Sequence, residues 1–142
     1  MKRIAIVGDI GSGKSFVAKN FQYPIFNADR EVNQIYNKNK FCFRKLKKAL
    51  PDYIHSFPIN KKNISEAILK NKKNLKKIIR IIHPEVRHRM SLFLKKNIKK
   101  KFVILDIPLF LENKLNKKND ILIFVDANKK KNSKKAQKKK KL

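Results

Sequence analysis

The chain has a single cysteine, Cys42, which excludes an internal disulfide framework and fits a reducing cytoplasm. Phe41 and Phe43 flank it, and neither a histidine nor an acid stands nearby, so it reads as a small buried apolar residue and not a reactive thiol. Long apolar runs are missing too. The longest, FVILDIPLFL, is interrupted by Asp106 and Pro108 and is too short to cross a bilayer. The opening MKRIAIVGDIGSGKS sets a basic pair before an apolar run, but that run is short and meets Asp9 and Lys14, which excludes a signal peptide. These absences predict a soluble, cytoplasmic protein with no membrane partner.

Acidic residues are scarce, 10 against 38 lysines and arginines, for a net charge of +28. Such a balance invites a nucleic-acid partner. The charge is nearly all lysine, however, spread along the chain beside asparagine, a bias that A/T-rich codons alone produce. No arginine-rich stripe or interleaved aromatic platform is present. The preferred reading is therefore solvated lysine faces with a pull on polyanionic ligands such as ATP, and not a nucleic-acid site. His55 and His88 lack any metal-ligand spacing and read as surface residues.

With 142 residues, 42% of them hydrophobic, the chain has the size of one folded domain with a substantial core. Residues 3–7 read as a buried strand, because IAIV is apolar without alternation and glycine follows. A helix is expected over 15–21, and a second apolar run over 24–28 ends at Asp29. Residues 31–50 look helical in pieces, with Val32, Ile35 and Tyr36 on one face. Pro51 and Pro58 bracket a loop; Ile64, Ala67 and Ile68 mark another helix. Leu75, Ile78, Ile79 and Ile82 form the clearest amphipathic stripe. Pro84 is expected to end or kink that helix, and a new one to run past Met90, Phe93 and Leu94 to about residue 100. Strands are expected at 102–105, closing on Asp106, and at 121–125, closing on Asp126. The alternation predicts an α/β fold with a parallel sheet and helices on both faces. Ligands bind such sheets at the carboxyl ends of strands, where Gly8 onward, Asp29, Asp106 and Asp126 all stand. Residues 129–142 are nine-fourteenths lysine and are expected to be disordered or a frayed helix.

Gly8-Asp9-Ile10-Gly11-Ser12-Gly13-Lys14-Ser15 matches GxxxxGK[ST] between a strand and a helix, the setting a phosphate-binding P-loop requires. Its glycines let backbone amides turn onto phosphate oxygens, and the helix N-terminus adds partial positive charge. Lys14 would reach the β- and γ-phosphates of ATP, and the Ser15 hydroxyl would bind Mg²⁺. Asp106, after an apolar strand, has the Walker-B position and would hold Mg²⁺ directly or through water. Asp29, in FNADREV, fits either a carboxylate that orients an acceptor hydroxyl or a helix cap. In His83-Pro84-Glu85-Val86-Arg87, Arg87 fits either a fork for a substrate phosphate or a surface arginine, and His83 a helix cap. Asp126 reads as a cap or turn former.

Together these pieces resemble the dephospho-CoA kinase family. GDIGSGKS is similar to its GGIGSGKS-like loop, and Asn27-Ala28-Asp29 to its D-A-D segment. HPEVR at 83–87 matches HPxVR, DIPLFLE at 106–112 is similar to a DIPLLFE-like stretch, and VDA at 125–127 also fits. The resemblance runs from Ile4 to about Asn128. It implies a three-layer P-loop kinase-like core over 1–128, with a helical substrate-binding region at about 30–100. It gives ATP and Mg²⁺ to Lys14 and Ser15, the 3′-hydroxyl of dephospho-CoA to Asp29 as catalytic carboxylate, and the substrate side to His83 and Arg87. Asp9 replaces a glycine and brings negative charge near the phosphates; Asn27 replaces the first aspartate of D-A-D. The family continues beyond VDA with an arginine-bearing lid, a further strand and a helix. Here the lysine-rich tail stands instead, with no arginine beyond residue 89. The chain therefore reads as truncated, with the lid and last strand missing, catalysis impaired and the edge of the fourth strand uncovered. Other readings are another small-molecule or nucleoside monophosphate kinase, which HPEVR and DIPLFLE speak against, a basic nucleic-acid-binding ATPase with steep salt dependence, and an inactive fragment. Oligomeric state is not indicated.

Overall fold

A computed structural model of the chain describes residues 1–8, 13–107 and 120–125. They fall into two compact units, one formed by Met1–Asn27 with Asn97–Leu142 and the other by Ala28–Lys96.

The first unit holds strands β1 (Lys2–Val7), β2 (Ile25–Asn27), β3 (Phe102–Asp106) and β4 (Ile121–Phe124), with helix α1 (Lys14–Asn20). The sheet has the order β2-β3-β1-β4, and every pair in it is parallel. β1 has a neighbour on each side, and Ile4, Ala5, Ile6 and Val7 are all buried. This is why its sequence is apolar without alternation: an inner parallel strand is covered on both faces. Val103, Ile104 and Leu105 of β3 are buried for the same reason. Ala18 of α1 packs into the cluster of Ile4, Ile6 and Ile104. Each large aliphatic side chain buried in this way stabilises the fold by about 1.5–3 kcal/mol. The Arg3 guanidinium meets the Asp120 carboxylate at 2.9 Å, tying β1 to the start of β4. The edge strands are thinner: β2 has three residues, and on β4 Ile121, Leu122 and Phe124 are exposed, Phe124 to 76%.

The second unit is helical: α2 (Ala28–Lys38), α3 (Lys40–Ala49), α4 (Lys61–Lys70) and α5 (Lys72–Lys96), with α5 packed against the other three. Asparagines start several of these helices. Asn39 Oδ1 accepts from the Cys42 amide and Asn60 Oδ1 from the Lys62 amide, both at 2.9 Å. Asn71 Oδ1 accepts from the Lys73 amide at the same distance ahead of α5. Such caps satisfy amides that have no carbonyl four residues behind them. Ile35, Tyr36, Leu46, Ile64 and Ala67 are buried, as are Ile54 and Ile59 in the 51–60 connection between α3 and α4.

Of the end or kink expected at Pro84, the end is excluded: α5 runs through the proline, no new helix begins there, and it stops at Lys96, short of residue 100. Pro84 lacks the amide that would bond the Arg80 carbonyl, a loss of about 3 kcal/mol in an isolated helix. Ile78, Ile82, Val86 and Met90 are spaced four residues apart across the proline and are all buried. Their combined burial outweighs the missing bond. His83 accordingly is no cap; it lies buried inside a continuous helix. Among the described residues no helix is long and apolar enough to cross a membrane.

Candidate functional site

β1 runs out at Gly8, and Asp9, Ile10, Gly11 and Ser12 of the GxxxxGK[ST] match lie outside the described residues, as do 108–112 of DIPLFLE, Asp126 and the tail at 129–142. The far end of the loop is described. Gly13 has φ +89°, a left-handed conformation, and caps α1, accepting the first helical bond from the Val17 amide at 3.0 Å. A Cβ there would touch nothing among the described residues, and the left-handed backbone angle is what demands glycine. Lys14 and Ser15 then open α1.

β3 delivers the partner. Asp106 ends that strand, paired in register with Ile6 of β1, and is only 2% exposed. Lys14 Nζ lies 2.9 Å from Asp106 Oδ1, and Ser15 Oγ donates to Asp106 Oδ2 at 3.0 Å. A third donor is Asn27, at the end of β2, whose Nδ2 reaches Oδ2 at 2.9 Å. One buried carboxylate thus collects an ammonium, a hydroxyl and an amide, the pairing a buried charge needs.

This donor set has definite chemistry. Ser15 Oγ and the Asp106 carboxylate place hard oxygens side by side, as a divalent cation requires. Among the described residues there is no cluster of three or more His, Cys, Asp or Glu side chains fit to hold a metal. An ion held by Ser15 and Asp106 would therefore complete its shell with water and ligand oxygens, as Mg²⁺ commonly does beside phosphates.

The other sequence candidates lie in the helical unit. Asp29 stands exposed on the first turn of α2, two residues after Asn27. Arg87 is exposed on α5; His83, one turn before it, is 5% exposed. Two residues escaped sequence reasoning. Asn27 was legible only as a departure from D-A-D. Arg89 joins Glu85 at 3.1 Å and Glu31 at 3.2 Å, and its Nη1 also donates to Gln34 at 3.3 Å, so that α5 is fastened to α2. The Arg89–Glu85 spacing of four is readable in a helix; the bond to Glu31 is not. Burial pushes the Cys42 thiol above its usual range, with the Glu85 charge adding to it, and pushes Tyr36 up to about 12. Both groups are core residues, as expected for Cys42.

The family model described as CoaE, dephospho-CoA kinase, matches residues 2–142. The chain is 33% identical over 129 residues to a dephospho-CoA kinase of Wolbachia sp. subsp. Brugia malayi, covering 87% of this chain and 66% of that one. It is 33% identical over 132 residues to one of Bartonella quintana, covering 89% and 67%. The chain thus spans about two-thirds of the length of the curated relatives it matches. Among solved structures, TT1252 from Thermus thermophilus superposes with a TM-score of 0.74 at 25% identity, covering 99% of this chain and 73% of that one. The dephospho-CoA kinase from Campylobacter jejuni has the same fold, with a TM-score of 0.69 at 22% identity over 100% and 75% of the two chains. Since the match begins at the first strand and takes in every described element, the chain belongs to the dephospho-CoA kinase family.

Proposed function

We propose that this chain, alone or as the larger part of a longer protein, transfers the γ-phosphoryl group of ATP to the ribose 3′-hydroxyl of dephospho-CoA, giving coenzyme A in the cytoplasm. The observation that carries this reading is the cluster on Asp106: Lys14 at 2.9 Å and Ser15 at 3.0 Å, at the carboxyl ends of the strands. The P-loop binds the phosphates, and Lys14 exchanges Asp106 for β- and γ-phosphate oxygens. Ser15 and Asp106 would hold Mg²⁺, which when bound neutralises charge on the moving phosphoryl group. Asp29 orients the acceptor hydroxyl and takes its proton. Arg87, exposed on α5, supports the substrate through its guanidinium fork. His83, buried one turn before Arg87 on the same helix, would stand with it on the substrate side.

The test is ADP release coupled to an indicator reaction, with dephospho-CoA, AMP, CMP and shikimate as competing acceptors. Dephospho-CoA should be preferred by a wide margin, and Asp29→Asn should lower kcat more than it raises KM. Preference for one of the other acceptors would sink the substrate assignment and leave the P-loop intact.

A further inference from the structure

Asn27 and Asp106 close neighbouring strands and are partners in the parallel register of β2 and β3. The bond between them joins positions 79 apart in sequence. Asp106 Oδ2 accepts from both Asn27 and Ser15, and Oδ1 faces Lys14. Under the function proposed above, on which this inference rests, two of these three donors also engage the ligand. Lys14 must turn to phosphate, and the Ser15 hydroxyl, while its hydrogen stays on Asp106, must turn an oxygen lone pair to the cation and so take its orientation from it. The torsion that sets a carboxylate plane is broad and weakly defined on its own. Among the described donors to Asp106, Asn27 is the one whose place does not depend on the ligand. Its side chain is also neutral, so it adds no second negative charge beside Asp106, as an aspartate would.

We propose that Asn27 is a positioning residue: it fixes the plane of the Asp106 carboxylate and through it sets the affinity for the divalent cation that accompanies the nucleotide. Groups that orient a metal-binding side chain from behind typically change metal affinity about 10–100-fold when removed.

The experiment is calorimetric titration of the 142-residue chain with ADP, with and without Mg²⁺, for the wild type, Asn27→Ala and Asn27→Leu, alongside melting temperatures. Leucine keeps the bulk and removes the donor without adding charge. The metal-dependent gain in ADP affinity should fall about 10-fold in both variants. Metal-free ADP affinity should stay within about twofold, which marks an effect confined to the metal. A full metal-dependent gain in both variants overturns the inference alone. So does a joint fall of melting temperature and of both affinities, or failure of both variants to fold, since either marks a purely structural bond. Absence of any metal-dependent gain in the wild type overturns the metal role of Ser15 and Asp106 and, with it, this inference.

Discussion

Lys14 and Asp106 form a pair in which neither side chain can be removed quietly. The carboxylate is 2% exposed and takes the ammonium at 2.9 Å. Breaking a buried pair from one side costs about 3–5 kcal/mol when nothing else satisfies the remaining charge. Here Ser15 and Asn27 still donate to Asp106, so Lys14→Ala should lower stability by less, about 1–3 kcal/mol. The same change should cut phosphoryl transfer about 10²–10³-fold, the usual effect of losing one charge-stabilising group. Urea unfolding and steady-state turnover on one preparation would check both, and unchanged turnover would end the role of Lys14. Much at this scale could be read beforehand. The chain has only three glycines, Gly8, Gly11 and Gly13, all within the GDIGSGKS motif. At Gly13 the left-handed angle gives the physical reason. Asp106 was legible because it interrupts an apolar strand. Asn27 was not, because its bond depends on the register between strands far apart in sequence, which no local pattern encodes.

At the scale of elements, α5 shows where periodicity prevails over propensity. The stripe at Ile78 and Ile82 was readable before Pro84 and Met90 after it, yet proline's local rule predicts an end or a kink. The rule concerns one lost bond, whereas the helix that carries this buried stripe packs against three partner helices. Pro84→Ala should therefore stabilise the chain by about 1–3 kcal/mol, restoring an amide donor for the Arg80 carbonyl. Thermal melting would measure it, and a fall in Tm would mean that α5 needs the proline's fixed angle. The starts of α3, α4 and α5 were obscured in the sequence by abundant asparagine, most of which carries no positional signal. Only the structure separates Asn39, Asn60 and Asn71, which accept from backbone amides, from the rest. The apolar run at 121–125 predicts a strand, and β4 forms there, but at the sheet edge and largely exposed, a placement that strand order decides and composition does not.

For the molecule as a whole, the order of strands and helices was enough to give the α/β class and the parallel sheet. It did not give the order β2-β3-β1-β4, because adjacency in a sheet depends on long-range pairing. That adjacency has a kinetic consequence. β2 and β3 are hydrogen-bonded neighbours, yet the entire helical unit Ala28–Lys96 is strung between them. Closing so long a loop is entropically unfavourable until the intervening chain has condensed, whereas helices with short connections gain contacts early. The inserted helices should therefore become ordered first and draw the ends of β2 and β3 into reach. Pulse-labelled hydrogen exchange during refolding follows this directly. Amides inside α5 should gain protection before the Ile104 amide, which donates to the Pro24 carbonyl at 2.8 Å and reports on the β2–β3 junction. Protection of Ile104 ahead of α5 would show that the sheet assembles around a still-unfolded insert, and the carboxylate cluster of Lys14, Ser15, Asn27 and Asp106 would then be among the first things built and not the last.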